Sequence, residues 1–497
     1  MRHNRSMVIS MRSRSALALL LALAAVAPAA AQEEVKVKSL AAPDYFSGPV
    51  ADTGLPGDLW KDAAPDIMRD VLPKLAGPKP LSPAFANLAR RLLSTGANGP
   101  AGVGDDVEMG AQRALALIAL GEAKGANAIL DRATGAPGSA ALSMATAEAA
   151  LITGDDDKAC RTQDALTVDR GGAYWLRLRA FCQLKAGQTD AAQLTFQLAQ
   201  QQTKDLDYAR LMGAALAGTA PSSNLKAGAP SLKNGVNYAL SRRLNLDVQS
   251  AAAIASASPA LKAVLKTGGD LSGVAPGADL TAQETSDLAF LRQAKTLPAF
   301  LDASRASSAS IAALAAAGAP LRDPVLMARA ALAAGDVASA QAIRGRLTGD
   351  TIPGATTADL AILDALIAAA SGKVDAQVLD NLIGRGVSGG GKTQAAAVLL
   401  ASLGGALSAD ARAQFAGFDL GKPAASPARV IVLEDAAAAR RKGEAGLLAL
   451  SIAVDAGATG PIPVDRARIA HALNRAGLDA DARAIVVEGI LGLAFVK

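Results

Sequence analysis

Residues Gly386 to Thr393, GVSGGGKT, follow the glycine-rich spacing that cradles phosphates, with Lys392 placed for the phosphate oxygens and Thr393 for a magnesium ion. That chemistry needs a strand before the loop and a helix after it. Ala376 to Ile383 instead carries Val378, Leu379, Leu382 and Ile383 at helical spacing, so the predicted context is helix, loop, helix, and nucleotide binding at 386–393 is the weaker reading. Val430 to Asp435 (VIVLED) opens an alanine-rich helical run and supplies no convincing second nucleotide motif.

Other reactive side chains are few. Cys160 and Cys182 are the only cysteines, and each lies eleven residues from Gly171. Two antiparallel helices leaving one turn reach equal heights at equal offsets, so the pair is predicted to form a disulfide. No histidine near them would complete a metal shell. His471 shares a helix face with Arg468 and Arg475, which predicts a solvated side chain. Ser223 and Lys226 have nucleophile spacing, but they fall in a Pro/Gly-rich stretch without companion motifs. Asp155, Asp156 and Asp157 follow Gly154 at a helix start, where negative charge complements the helix dipole. Neither catalytic residues nor a cofactor or metal site is expected, and the chain reads as a non-enzyme.

The elements that must position these residues are helical. Alanine fills about a quarter of the chain and aromatics only 3%. Alanine is the best helix former, whereas sheets favour branched and aromatic side chains. The fold class is therefore all-α. A phrase recurs along the chain: an apolar-periodic helix ending in glycine, then a second helix opening with small residues. It occurs at Gly154, Gly187, Gly335, Gly372 and Gly477. Gly154 and Gly187 lie 33 residues apart, and Gly335 and Gly372 lie 37 apart. A period in the mid-thirties belongs to stacked two-helix repeats, so the predicted architecture is an α-solenoid of stacked helical hairpins.

Within that pattern Tyr174 to Gln202, YWLRLRAFCQLKAGQTDAAQLTFQLAQQQ, resembles one tetratricopeptide repeat. Trp175, Leu178, Ala192, Phe196 and Ala199 stand near that family's packing positions, with the second helix displaced by one residue. The likeness is specific over this unit and weak elsewhere. It implies a concave surface that binds a protein or peptide, with Arg177, Gln183 and Lys185 as candidate lining residues. A rival is an alanine-rich α-superhelix that acts on or binds peptidoglycan or another polysaccharide, similar to murein lytic transglycosylases. Their catalytic Glu-Ser pair is absent from this sequence.

The first 31 residues set the expected compartment. Arg2, Arg5, Arg12 and Arg14 precede an apolar run from Ala16 to Ala27, then Pro28 and Ala29 to Ala31. This is the form of a secretory signal peptide cleaved after Ala31, which implies a periplasmic protein. The run falls short of the roughly 20 residues of a membrane span, so no integral segment is expected after cleavage. Cleavage lowers the net charge from +5 to +1, and the remaining cations are mixed with acids, which argues against a nucleic-acid partner. The partner expected is a protein or peptide of the envelope; oligomeric state is left open. The organisation reads as signal peptide 1–31, extended arm 32–62, N-terminal helical repeats 63–216, linker or long loop 217–235, central helical repeats 236–420 and C-terminal helices 421–497.

Overall fold

A computed structural model describes residues 45–133, 135–218, 228–252, 257–266, 279–347, 352 and 355–495. The expected signal peptide and its cleavage site at Ala31, the arm before residue 45, and Ser223 with Lys226 lie outside these residues.

The described residues form α-helices and no β-strand. The first group is α1 (Pro65–Leu75), α2 (Pro83–Ser94), α3 (Val107–Ala119), α4 (Ala123–Leu130) and α5 (Ala140–Thr153). Next come α6 (Asp156–Ala165), α7 (Ala173–Lys185), α8 (Thr189–Gln202), α9 (Leu206–Leu216), α10 (Gly235–Arg243), α11 (Val248–Ala251) and α12 (Pro259–Lys266). The middle holds α13 (Leu280–Gln293), α14 (Leu297–Ala306), α15 (Ser308–Ala317), α16 (Pro324–Ala333), α17 (Val337–Gly345), α18 (Thr357–Ser371), α19 (Ala376–Gly389) and α20 (Gly391–Ala401). The last are α21 (Ala409–Ala416), α22 (Pro427–Ala438), α23 (Lys442–Ala456), α24 (Pro463–Ala476) and α25 (Asp479–Gly492).

Local chemistry sets the helix ends. Asp106, Ser139, Asp155, Asp205, Asp323 and Asp336 each accept a hydrogen bond from the backbone of the first turn they precede. Gly154, Gly187, Gly335, Gly372 and Gly477 all have φ between 71° and 91°, the left-handed conformation that ends a helix. The five expected hairpin turns are therefore present, and Asp155 and Asp336 cap the helices that follow two of them.

Apolar side chains gather into two cores. The smaller lies among α5 to α10 and contains Trp175, Phe181, Phe196, Tyr208 and Leu211. The larger joins the remaining helices; α10 reaches both, with Tyr238 in the larger core and Val236, Ala239 and Leu240 in the smaller, and α5 serves both. It turns Ala145, Ala149 and Ile152 to one core and Ala147, Ala150 and Leu151 to the other. A helix apolar on all sides is one buried on all sides. The expected runs 63–216, 236–420 and 421–497 are each helical, but the cores group their helices differently.

The larger core brings the beginning of the chain onto its end. α1 packs on α23, and α2 packs on α23 and α25. Gly443 and Gly446, one turn apart on α23, permit this approach: a β-carbon at Gly443 would stand 2.5 Å from Trp60 Cε3, and one at Gly446 would stand 2.5 Å from Leu92 Cδ1. Neither α1 nor α2 has a local side-chain cap. Carboxylates from far along the chain supply one. Glu444 accepts from Ala64 N–H at 2.7 Å, and Glu488 accepts from Ser82 Oγ at 2.6 Å and from Ala84 N–H. Arg466 Nη1 completes the second site 2.9 Å from Glu488 Oε1, its guanidinium 5.5 Å from the Phe85 ring centre. In a strictly linear repeat array each unit touches only its neighbours, and these contacts depart from that rule.

The described part of the expected arm is irregular yet buried. Phe46, Leu59 and Trp60 are almost fully enclosed. Arg113 on α3 is wholly buried and donates to the carbonyls of Tyr45, Leu93 and Thr95, which ties this segment to the C-terminus of α2.

Candidate functional site

Helices α6 and α7 run antiparallel from the turn at 169–172. Residues Cys160 and Cys182 are joined across them by a disulfide, with their Cα atoms 5.5 Å apart. Equal offsets from the turn place the two sulfurs level, as the spacing predicts. The disulfide forms part of the wall of a polar groove of about 550 Å³, lined also by Asp157, Asp164, Arg170, Arg179, Gln183, Lys185 and Gln188.

The groove is crowded with charge. Lys185 Nζ lies 2.9 Å from Asp157 Oδ1, and that hydrogen bond and charge hold the Asp157 carboxyl below its usual range. Arg179 Nη2 donates to the Arg170 carbonyl at 3.2 Å. Burial pushes the Arg179 guanidinium below its ordinary value, the charge of Arg170 pushes the same way, and Asp164 acts in the opposite sense. Buried Gln163, with its amide oriented to satisfy both neighbours, donates to Asp164 Oδ1 at 3.2 Å and accepts from Arg179 Nε at 3.3 Å. Gln183 Oε1 is shielded from solvent and has no hydrogen-bond donor among the described residues. An unpaired buried acceptor costs about 1–3 kcal/mol until a donor reaches it.

Of the three candidate lining residues, Gln183 and Lys185 meet in this groove and Arg177 does not. Arg177 points to α9, where it pairs with Asp205 at 3.1 Å and stands 5.5 Å from the Tyr208 ring centre. Six residues on an α-helix turn the side chain to a different face, so Arg177 staples α7 to α9. The residue missed is Arg179. It lies one turn before Gln183 on the same face, an i, i+4 relation legible in the sequence once helix rotation is known. The outer face of α8 carries two exposed leucines one turn apart, Leu194 and Leu198.

The glycine-rich motif takes another form from the open interhelical loop expected of it. α19 continues through Gly389 and α20 begins at Gly391, which leaves Gly390, at φ 80°, as the whole junction. Gly386 is inside a helix against Phe418, its carbonyl accepts from Gln394 Nε2 at 3.1 Å, and Thr393 is buried. The motif is thus split between the last turn of α19 and the first turn of α20 and does not form the single loop that wraps a phosphate. No strand precedes it. Val430 to Asp435 likewise lies within α22.

The remaining candidates have ordinary roles. His471 is exposed on α24. Asp155 caps α6, Asp156 pairs with Arg242 at 2.6 Å, and Asp157 pairs with Lys185. Among the described residues no cluster of three or more His, Cys, Asp or Glu side chains is arranged to hold a metal ion, and no helix is long and apolar enough to cross a membrane. Comparison with family models, curated proteins and solved structures finds no match to the chain.

Proposed function

We propose that this protein is an exported, non-enzymatic helical scaffold that binds an extended acidic segment of an envelope protein in the groove between α6 and α7. Residues 1–31 deliver it to the periplasm, where Cys160 and Cys182 oxidise. Its hairpins form a solenoid-like array of tetratricopeptide type whose first helices dock on its last. One observation carries the reading: two like charges, Arg170 and Arg179, line one groove together with a Gln183 acceptor that has no donor among the described residues. A partner carboxylate between the two arginines offsets their like charge through charge-assisted hydrogen bonds. A partner backbone N–H satisfies Gln183, and the disulfide holds both helices in place, so little ordering is needed on binding.

A photo-crosslinking residue at Gln188 tests this in growing cells. The expected result is a discrete protein adduct, formed by a mature chain that begins at Gln32. A chain that retains its N-terminus in the cytoplasm, or no protein adduct across growth conditions, contradicts the proposal. Co-sedimentation with peptidoglycan, or release of muropeptides from it, would favour the polysaccharide-directed alternative.

A further inference from the structure

A second cavity, remote from the α6–α7 groove in sequence, opens between the start of α14, the loop joining α23 to α24, and the end of α25. Its volume is about 360 Å³ and its walls are mainly apolar, with Leu297, Pro298, Leu399, Ile462, Leu493 and Phe495 contributing. Pro461 and Pro463 line it without N–H groups. Gly489 and Gly492, one turn apart on α25, present no side chain to the space.

The cavity is built by a buried ion pair. Arg466 donates to Glu488 at 2.9 Å, to the Ile485 carbonyl at 3.3 Å, to the Thr459 carbonyl at 3.2 Å and to the Pro461 carbonyl at 3.4 Å. These bonds fix the 459–461 loop as a wall. They also neutralise Arg466 against Glu488, so neither offers a free charge to a ligand. The third ionisable group on the cavity differs. Lys295 is exposed at the mouth, where its Nζ donates to the Arg292 carbonyl at 3.0 Å, and no carboxylate among the described residues pairs with it. The N-termini of α14 and α24, at Leu297 and Pro463, also line the cavity, and helix N-termini carry positive potential.

We infer that this cavity binds a free single-chain amphiphilic carboxylate, with the acyl chain inside and the carboxylate at Lys295. The size fits the chemistry. At about 30 Å³ for each water-sized group, the volume holds about twelve such groups, which matches the twelve non-hydrogen atoms of decanoate. An apolar pocket with a few placed polar groups is the usual form of a small-molecule site. The cavity shares no lining residue with the α6–α7 groove, so the two sites stand or fall separately.

Calorimetric titration of the mature protein with decanoate and with 1-decanol tests it. A β-carbon at Gly492 would sit 3.6 Å from Leu297 Cδ2, an ordinary contact, so Gly492→Leu fills the cavity from a tolerant helix position. Decanoate should bind with one site per chain and lose at least about thirtyfold in affinity in Gly492→Leu, which should melt no lower than the wild type. Lys295→Gln should weaken decanoate about tenfold and leave decanol unchanged. No decanoate binding by the wild type, or equal affinity in Gly492→Leu, would overturn the site. Equal decanoate affinity in Lys295→Gln would overturn the assignment of an anionic ligand.

Discussion

Replacing Glu488 with alanine probes how the beginning of the chain is held to its end. The side chain is 5% exposed and serves three donors at once: Arg466 Nη1 at 2.9 Å, Ser82 Oγ at 2.6 Å and the Ala84 amide at the N-terminus of α2. Glu488→Ala leaves a buried guanidinium without its counter-charge and a helix start without its cap. Breaking a buried pair on one side costs about 3–5 kcal/mol. Glu488→Gln keeps the shape and an acceptor but not the charge, so its cost should be smaller, about 1–3 kcal/mol. Removing both charges with Arg466→Met and Glu488→Leu should restore only the part of the loss that comes from the unpaired ion, because the start of α2 and the carbonyls that Arg466 serves still lack their partners. The assay is native-state amide hydrogen exchange over α2, which reads the opening of that helix without requiring the whole chain to unfold in one step. Faster exchange in Glu488→Ala, confined to α2 and its contacts and partly reversed in the double variant, is the expected pattern. Exchange unchanged within about 0.5 kcal/mol of the wild type would mean that α2 does not depend on this carboxylate, and the closure described above would be wrong.

Three further outcomes follow from single sites. Free-thiol titration of the denatured, unreduced protein should find no thiol, and Cys160→Ser with Cys182→Ser should destabilise the α5–α10 core by about 3 kcal/mol, as expected for a cross-link of this span in the chain-entropy model; two titratable thiols would refute the bond. Burial drives the carboxyl of Glu148 above its usual value of 4.5, against the opposing pull of the Gly235 N–H. The folded state therefore holds this proton more tightly than the unfolded state, and wild-type stability falls as pH rises from about the ordinary carboxylate value through the raised folded one. Glu148→Gln keeps an acceptor for Gly235 and cannot ionise, so its Tm relative to the wild type should climb over that interval; a pH-independent difference contradicts the assignment. Lys392→Ala should change stability by less than about 0.5 kcal/mol, and ATP affinity in the wild type that this variant loses would revive the nucleotide reading.

What the sequence discloses about this fold is what local chemistry determines. Glycine closes helices at Gly154, Gly187, Gly335, Gly372 and Gly477 because only a few residues near each turn take part. The Cys160–Cys182 bond is legible for the same reason, since one short turn sets both heights. Closure of the chain is not. Glu444 and Glu488 cap helices some 400 residues earlier, and nothing near either glutamate marks it as the partner of Ala64 or Ser82. Trp60 looks like part of an extended arm because the glycine that receives it, Gly443, lies at the far end of the chain. Hairpin periodicity gives a helix its partner and not its rotation, so the sequence alone does not show that Arg179 lines the groove with Gln183 and Lys185 while Arg177 turns to Asp205. The glycine-rich motif misleads in a related way: its glycines read as a loop, yet Gly386 to Gly389 finish a helix that packs on Phe418.

The α6–α7 groove is proposed to seat an acidic partner segment between Arg170 and Arg179. Its most direct test is the dissociation constant of the partner segment captured from Gln188, measured against the wild type and against Arg179→Glu of matched Tm. Loss of a charge-assisted contact and introduction of a like charge should weaken binding at least about tenfold, and reversing the segment's acidic residue to arginine should recover it. Equal affinity for the two proteins would contradict the account.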